Sequence, residues 1–201
     1  MSSASDAPVR PAGTRTRSGN AMLRTRTALL AAAAACVQRD GVRKLTMGDV
    51  STMGGVAKAT LYNHFRTKGD LLAALVEDRV SALGASCADV ARQRGLPAAL
   101  EAAAAALAAD PALRRVSADE PLALLPLLRA GEARGWEQAR GAVAEVLRAA
   151  GAPADAAAVE AVLRWLSGQL LWPATPEQAR HGAALLAGGS TPARPLLGWP
   201  G

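Results

Sequence analysis

From residue 21 onward, apolar side chains recur every three or four positions. Met22, Leu29, Leu30, Ala33, Cys36 and Val37 keep that spacing, which puts them on one stripe of an α-helix. Asp40-Gly41 should close this helix, because glycine suits the left-handed position after a last turn. Thr46 then opens a short helix with Met47, Val50 and Met53 on its apolar face, and Asp49 three residues on completes a T-x-x-D capping pattern. Gly54-Gly55 should end it after about two turns. A second short helix is expected from about Ala57 to Phe65. Thr67 and Asp70 repeat the capping pattern and begin a long helix carrying Leu71, Leu72, Leu75, Val76, Val80 and Leu83, which Gly95 and Pro97 should end near Arg94.

The remainder reads as helix punctuated by Pro and Gly. Segments are expected over about Ala98 to Ala109, from Pro111, from Pro121 with a kink at Pro126, and over Glu132 to Ala149. Asp155 to Leu171 and Pro176 to Ala187 complete the set, with Thr175 capping the last. No alternating strand pattern of useful length occurs. Two stretches lack large apolar side chains and are expected to be irregular: residues 1–20, rich in Ser, Pro, Gly, Thr and Arg, and the Gly/Pro-rich tail over 189–201.

Composition strengthens the all-α reading, since 49 of 201 residues are alanine and only six are aromatic. The longest apolar runs, such as Ala28 to Val37, are about half the length of a bilayer span. No secretory signal precedes them, so a cytoplasmic protein without a membrane partner is expected. Cys36 and Cys87 lie far apart, with no CxxC and no histidine at ligand spacing; they read as reduced core thiols, and neither a metal nor a cofactor is implied. Charge is uneven. Through Lys68 there are eleven basic and three acidic residues, and from Gly69 onward twelve basic and fourteen acidic. A basic first third on a nearly neutral body suits a polyanion-binding head, although Arg10, Arg15 and Arg17 also fit a solvated tail.

The informative segment is residues 46–65, TMGDVSTMGGVAKATLYNHF. Two short helices joined by a tight turn cross steeply only if a small residue lies at the crossing and the turn tolerates positive φ. Ser51 and Gly55 meet those demands, and Leu61 falls where an apolar side chain must pack the second helix on the first, with Val50, Val56 and Phe65 beside it. This is helix-turn-helix spacing. With Leu61 turned inward, a helical wheel sends Ala59, Asn63 and Arg66 outward and leaves Thr60 and Tyr62 on the flanks. Asn can pair with an adenine edge, and Ala and Thr can touch a thymine methyl group, so the face can read bases in a major groove. Lys58 and Tyr62 are better placed for phosphates. Any two short helices with a glycine between them can imitate the spacing. Here the basic flank, the capping patterns and the polar outward face accompany it.

The run GGVAKATLYNHFRTKGDLL resembles the signature of the TetR/AcrR regulators, A-G-V-S-x-G-T-L-Y-x-H-F-x-S-K-x-x-L, and the resemblance extends over about residues 23–83. It implies a three-helix DNA-binding domain over 21–83, joined through a long helix to an all-helical ligand-binding and dimerisation domain over 84–188. By position it implies that Thr46 and Lys68 touch phosphates and that Lys58, Thr60, Tyr62 and His64 act from the recognition helix. Ala57 stands where the family commonly has Ser or Thr, Ala59 where it has Gly, and Val37 where it has Phe.

A dimeric repressor released from a palindromic operator by a small-molecule effector follows from this reading; a nonspecific architectural DNA-binding protein is the alternative. Helices 155–171 and 176–187, with Val159, Val162, Leu163, Leu166 and Leu170 on one stripe and Ala179, Gly182, Ala183 and Leu186 on the other, can supply half of a four-helix dimer interface or pack inside their own subunit. Trp136, Trp165 and Trp172, with Arg129 or Arg134, are the weak candidates for an effector cavity, and His181 reads as a surface or interface residue. Glycine-rich phosphate loops, H-E-x-x-H and G-x-S-x-G are all missing, which argues against an enzyme.

Overall fold

The computed structural model describes residues 13–124 and 134–188, and among them there is helix and connection but no strand. The helices are α1 (Gly13–Lys44), α2 (Met47–Met53), α3 (Lys58–His64), α4 (Lys68–Ala109), α5 (Pro111–Asp119), α6 (Arg134–Ala149), α7 (Ala156–Leu171) and α8 (Pro176–Leu186), with a 3₁₀ turn over Pro121–Leu124 after α5. Residues 1–12 of the expected arm, the kink at Pro126, Arg129, the start of a helix at Glu132 and the tail over 189–201 lie outside the described residues.

Most ends follow local chemistry. Asp110, Asp155 and Thr175 each accept a hydrogen bond from an amide of the following first turn, capping α5, α7 and α8. At α4 the Thr67 hydroxyl accepts from the Asp70 N–H and the Asp70 carboxylate accepts from the Thr67 N–H, both at 3.0 Å. At α2 only half of that box forms. Thr46 accepts from the Asp49 N–H at 3.1 Å, but its hydroxyl donates to the Asp49 carboxylate at 2.5 Å, a charge-assisted bond that takes the acid away from the backbone.

Two expectations are corrected at this level. α1 starts at Gly13, so residues 13–20 are helical rather than part of an irregular arm. Extending a nucleated helix by Arg and Thr is inexpensive, and Thr25 and Thr27 return their hydroxyls to the carbonyls of Ala21 and Leu23. Met22, placed on the buried stripe, is 63% exposed because this extension runs past the residues it would pack against. The break expected at Gly95 is present: its backbone (φ 81°, ψ 176°) leaves the helical region and interrupts α4. The helix resumes at once with Pro97 in its new first turn, where a missing N–H is harmless.

Two apolar clusters organise the chain. In the first, Leu29, Ala33 and Cys36 of α1 meet Val50, Leu61, Phe65 and Leu71, all nearly or fully buried. Val116 of α5 and Leu124 belong to the same cluster, so the head borrows part of its core from sequence beyond the expected boundary at residue 83. The second gathers Cys87, Ala91 and Leu100 of α4 with Trp136 and Val146 of α6, Val159 and Val162 of α7, and Ala183 of α8. Residues 68–94 run between the clusters as one rod about 40 Å long. No single helix among the described residues is long and apolar enough to cross a membrane.

Candidate nucleic-acid interface

The α2–turn–α3 unit is closed by small residues. Ser51 is buried and donates its hydroxyl to the Gly48 carbonyl at 2.8 Å. At Gly54 a methyl group would lie 3.1 Å from the Val50 carbonyl oxygen and 3.3 Å from Leu29 Cδ2, so the turn presses against α1. Gly55 has φ +63°, and nothing lies within 4 Å of where its side chain would begin; the demand there is conformational. The Val56 N–H then returns to the Ser51 carbonyl at 3.0 Å, and Val56 is partly buried against the head core.

Leu61 is fully buried and Phe65 nearly so, which fixes the rotation of α3. Lys58, Ala59, Asn63 and Arg66 are exposed with Tyr62, while Thr60 and His64 are half-buried on the flanks. Ala57 makes no side-chain cap, as its methyl group must. Lys58 reaches back across α2, its ammonium 3.8 Å from the space a Gly48 side chain would fill. Thr46 is exposed at the start of α2, with its hydroxyl proton committed to Asp49. Lys68, half-buried, donates from Nζ to the Arg43 carbonyl at 3.1 Å.

One contributor was missed by sequence reasoning. The Arg26 guanidinium sits 4.9 Å above the Phe65 ring, tying α1 to the end of α3 across 39 positions. No local pattern announces a pairing at that separation. The electrostatics favour a polyanion: residues 19–68 hold eight basic and two acidic side chains. Asp49 is engaged by Thr46, and Arg39 holds the Asp40 carboxyl below the usual carboxylate range by hydrogen bonding and charge.

Residues 29–75 match the family described as bacterial regulatory proteins, tetR family. That match covers the segment from α1 into the start of α4. No curated protein matches the chain by sequence. Among solved structures, the TetR family repressor AlkX from Dietzia sp. strain DQ12-45-1b is similar with a TM-score of 0.63 at 22% identity, over 81% of this chain and 92% of that one. The fatty acid degradation regulator FadR from Bacillus halodurans gives 0.60 at 16% identity, over 83% and 96%. A putative TetR-family transcriptional regulator from Mesorhizobium loti gives 0.57 at 18%, over 83% and 94%. At these identities the likeness is one of fold, and it spans head and body together.

The body of the chain departs from the sequence reading at Trp172. Trp172, proposed as a cavity wall, is 85% exposed, because α7 ends one residue before it. Trp136 is buried in the body core, its ring N–H without a partner among the described residues, and Trp165 lies against Gly182, where a methyl group would come 2.7 Å from Trp165 Nε1. The small residues of α8 therefore admit a tryptophan of the same chain. Val159, Val162, Leu163, Ala179 and Ala183 are likewise buried within the subunit. Arg134 begins α6, and His181 is exposed on α8.

Proposed function

We propose that the protein is a dimeric repressor that reads a palindromic operator through α3 and leaves it when a small-molecule effector binds the body. The observation that carries this reading is the split of α3: Leu61 and Phe65 turned into the core, and Ala59, Tyr62 and Asn63 turned out. Asn63 is assigned to a base edge, Ala59 and Thr60 to thymine methyl groups, and Lys58, Tyr62 and His64 to the groove walls. Lys68 is assigned to a phosphate. Thr46 has no hydroxyl proton to give while it holds Asp49, so its contact falls to the free amides beside it.

Two half-sites about one DNA turn apart multiply the discrimination of a single helix. The dimer surface we assign is the outer side of α7 and α8, where Leu171, Trp172 and Leu185 are exposed beside Ala161, Gly168 and Ala184. An effector acts by preferring the conformation whose recognition helices are wrongly spaced. This is a binding role in the cytoplasm rather than an enzymatic one.

Selection of bound fragments from a random duplex pool, in excess competitor DNA at physiological salt, tests the reading. A two-fold symmetric site should emerge; loss of all preference would indicate a nonspecific architectural binder. On the selected site, Asn63→Ala should cost about 1–3 kcal/mol and leave random DNA unaffected. Lys68→Ala should weaken all DNA alike and lower the salt slope by about one.

A further inference from the structure

The break in α1 at Gly41 (φ 83°, ψ 173°) begins a new turn five residues before Thr46 caps α2. Amides at the start of such a turn lack a carbonyl four residues back. The Arg43 N–H is received instead by Glu120 Oε2 at 2.9 Å, across 77 positions. The other carboxylate oxygen lies 2.5 Å from where a Gly41 side chain would begin, so the acid fills the space that glycine leaves. Glu120 is itself fixed: its N–H bonds the Val116 carbonyl and its carbonyl receives the Ala123 N–H, each at 2.8 Å. From the opposite side, Lys68 Nζ donates to the Arg43 carbonyl at 3.1 Å. The two peptide groups that flank Arg43, just ahead of α2 and α3, are thus held by the end of α5 and the start of α4.

We propose that Glu120 is a positioning residue that sets the tilt of the DNA-reading unit on the rest of the subunit, and through it the half-site spacing the dimer accepts. The proposal rests on the dimeric reading above. Glu120 does not touch DNA, and its carboxylate would repel a phosphate; it acts through Arg43. Its hold is a charge-assisted bond on a backbone amide, applied where a small rotation is carried along the full length of α3.

The test compares full-length wild type, Glu120→Ala, Glu120→Gln and Glu120→Asp on the site the wild type selects from random duplexes, with the half-sites moved by one base pair either way. Glu120→Ala should lose about three- to tenfold on the best spacing, bind random DNA as before, and discriminate less between spacings. Glu120→Gln, which keeps an acceptor oxygen, should recover most of both. The Arg43 amide should exchange hydrogen faster in Glu120→Ala than in wild type. A Glu120→Ala protein with wild-type affinity and spacing profile overturns the proposal. If that variant does not fold, Glu120→Asp decides, and an unchanged profile overturns it equally. If the wild type selects no site, the dimeric reading fails; unaltered exchange at Arg43 in Glu120→Ala would then overturn the clamp as well.

Discussion

Replacing Gly55 separates two reasons for a glycine, room and conformation. Its φ of +63° lies in the left-handed region, and no atom sits within 4 Å of a side chain built there. An added methyl group therefore meets nothing, and the cost is that of the backbone alone, about 1–2 kcal/mol for an L-residue. Against this, alanine restricts the unfolded chain and returns about 0.4–1 kcal/mol. Gly55→Ala should thus lose about 1 kcal/mol net, a fall of about 2–4 °C in Tm for a chain of this size. Gly55→Asn should lose at most a few tenths, because asparagine tolerates this region, and Gly55→Val should lose about 2 kcal/mol through its branched Cβ. Gly54 supplies the contrast. Its φ is −78°, which any residue adopts, but Val50 and Leu29 crowd it, so Gly54→Ala must displace neighbours. Urea unfolding of the set checks the order Asn, Ala, Val at position 55. Losses of this size leave a domain of ordinary stability almost entirely folded, so any fall in operator affinity beyond them reports misplacement of α3. Equal stability of the three variants at Gly55 would refute the positive-φ turn and with it the assigned crossing of α2 and α3.

Three further outcomes are expected. Gly182→Ala forces a methyl group against the Trp165 ring and should destabilise by about 1 kcal/mol after its helix-propensity gain, whereas Gly141→Ala, with open space around it, should stabilise by about 0.5–1 kcal/mol; thermal melts of the pair check the sign. Thr67→Ala removes the side-chain half of the capping box at the start of α4, leaving the backbone N–H of residue 67 on Asp70, and should cost about 1 kcal/mol, measured by chemical unfolding, with Thr46→Ala costing no more. Burial pushes the thiols of Cys36 and Cys87 above their usual range, so alkylation of the native protein at pH 8 should be slow for both and rapid for both in denaturant. A thiol that reacts at once in the native state would contradict its place in the core.

The helix-turn-helix was legible because its determinants are local. Ser51, Gly55 and Leu61 act over ten residues, and the caps at Thr67, Asp155 and Thr175 act over three. Gly95 and Pro97 likewise mark the break present in α4, although not that Leu96, Ala99 and Leu100 beside it join the body core. The same locality explains the misreadings. The small residues of α8 suited either a second helix or a large side chain, and the sequence pattern does not say that Trp165 is the neighbour. Met22 fell on the right stripe of a helix that outruns its partners. Periodicity assigns a face; what covers that face is a tertiary fact.

That distinction bears most on where the head ends. Charge divides the chain at Lys68 and the motif ends near residue 83, yet Val116 and Leu124 lie in the same core as Leu29, Leu61 and Leu71. Cores transmit strain because they are close-packed, and a shift at Val116 is felt at its neighbours rather than absorbed. The Glu120 carboxylate on the Arg43 amide adds a polar tie between the same two regions. Two connections thus join the α2–α3 unit to the rest of the chain, the long rod of α4 and the contact with the end of α5. The second enters at Arg43, three residues before the cap of α2, so a displacement of Glu120 would reach the start of α2 directly.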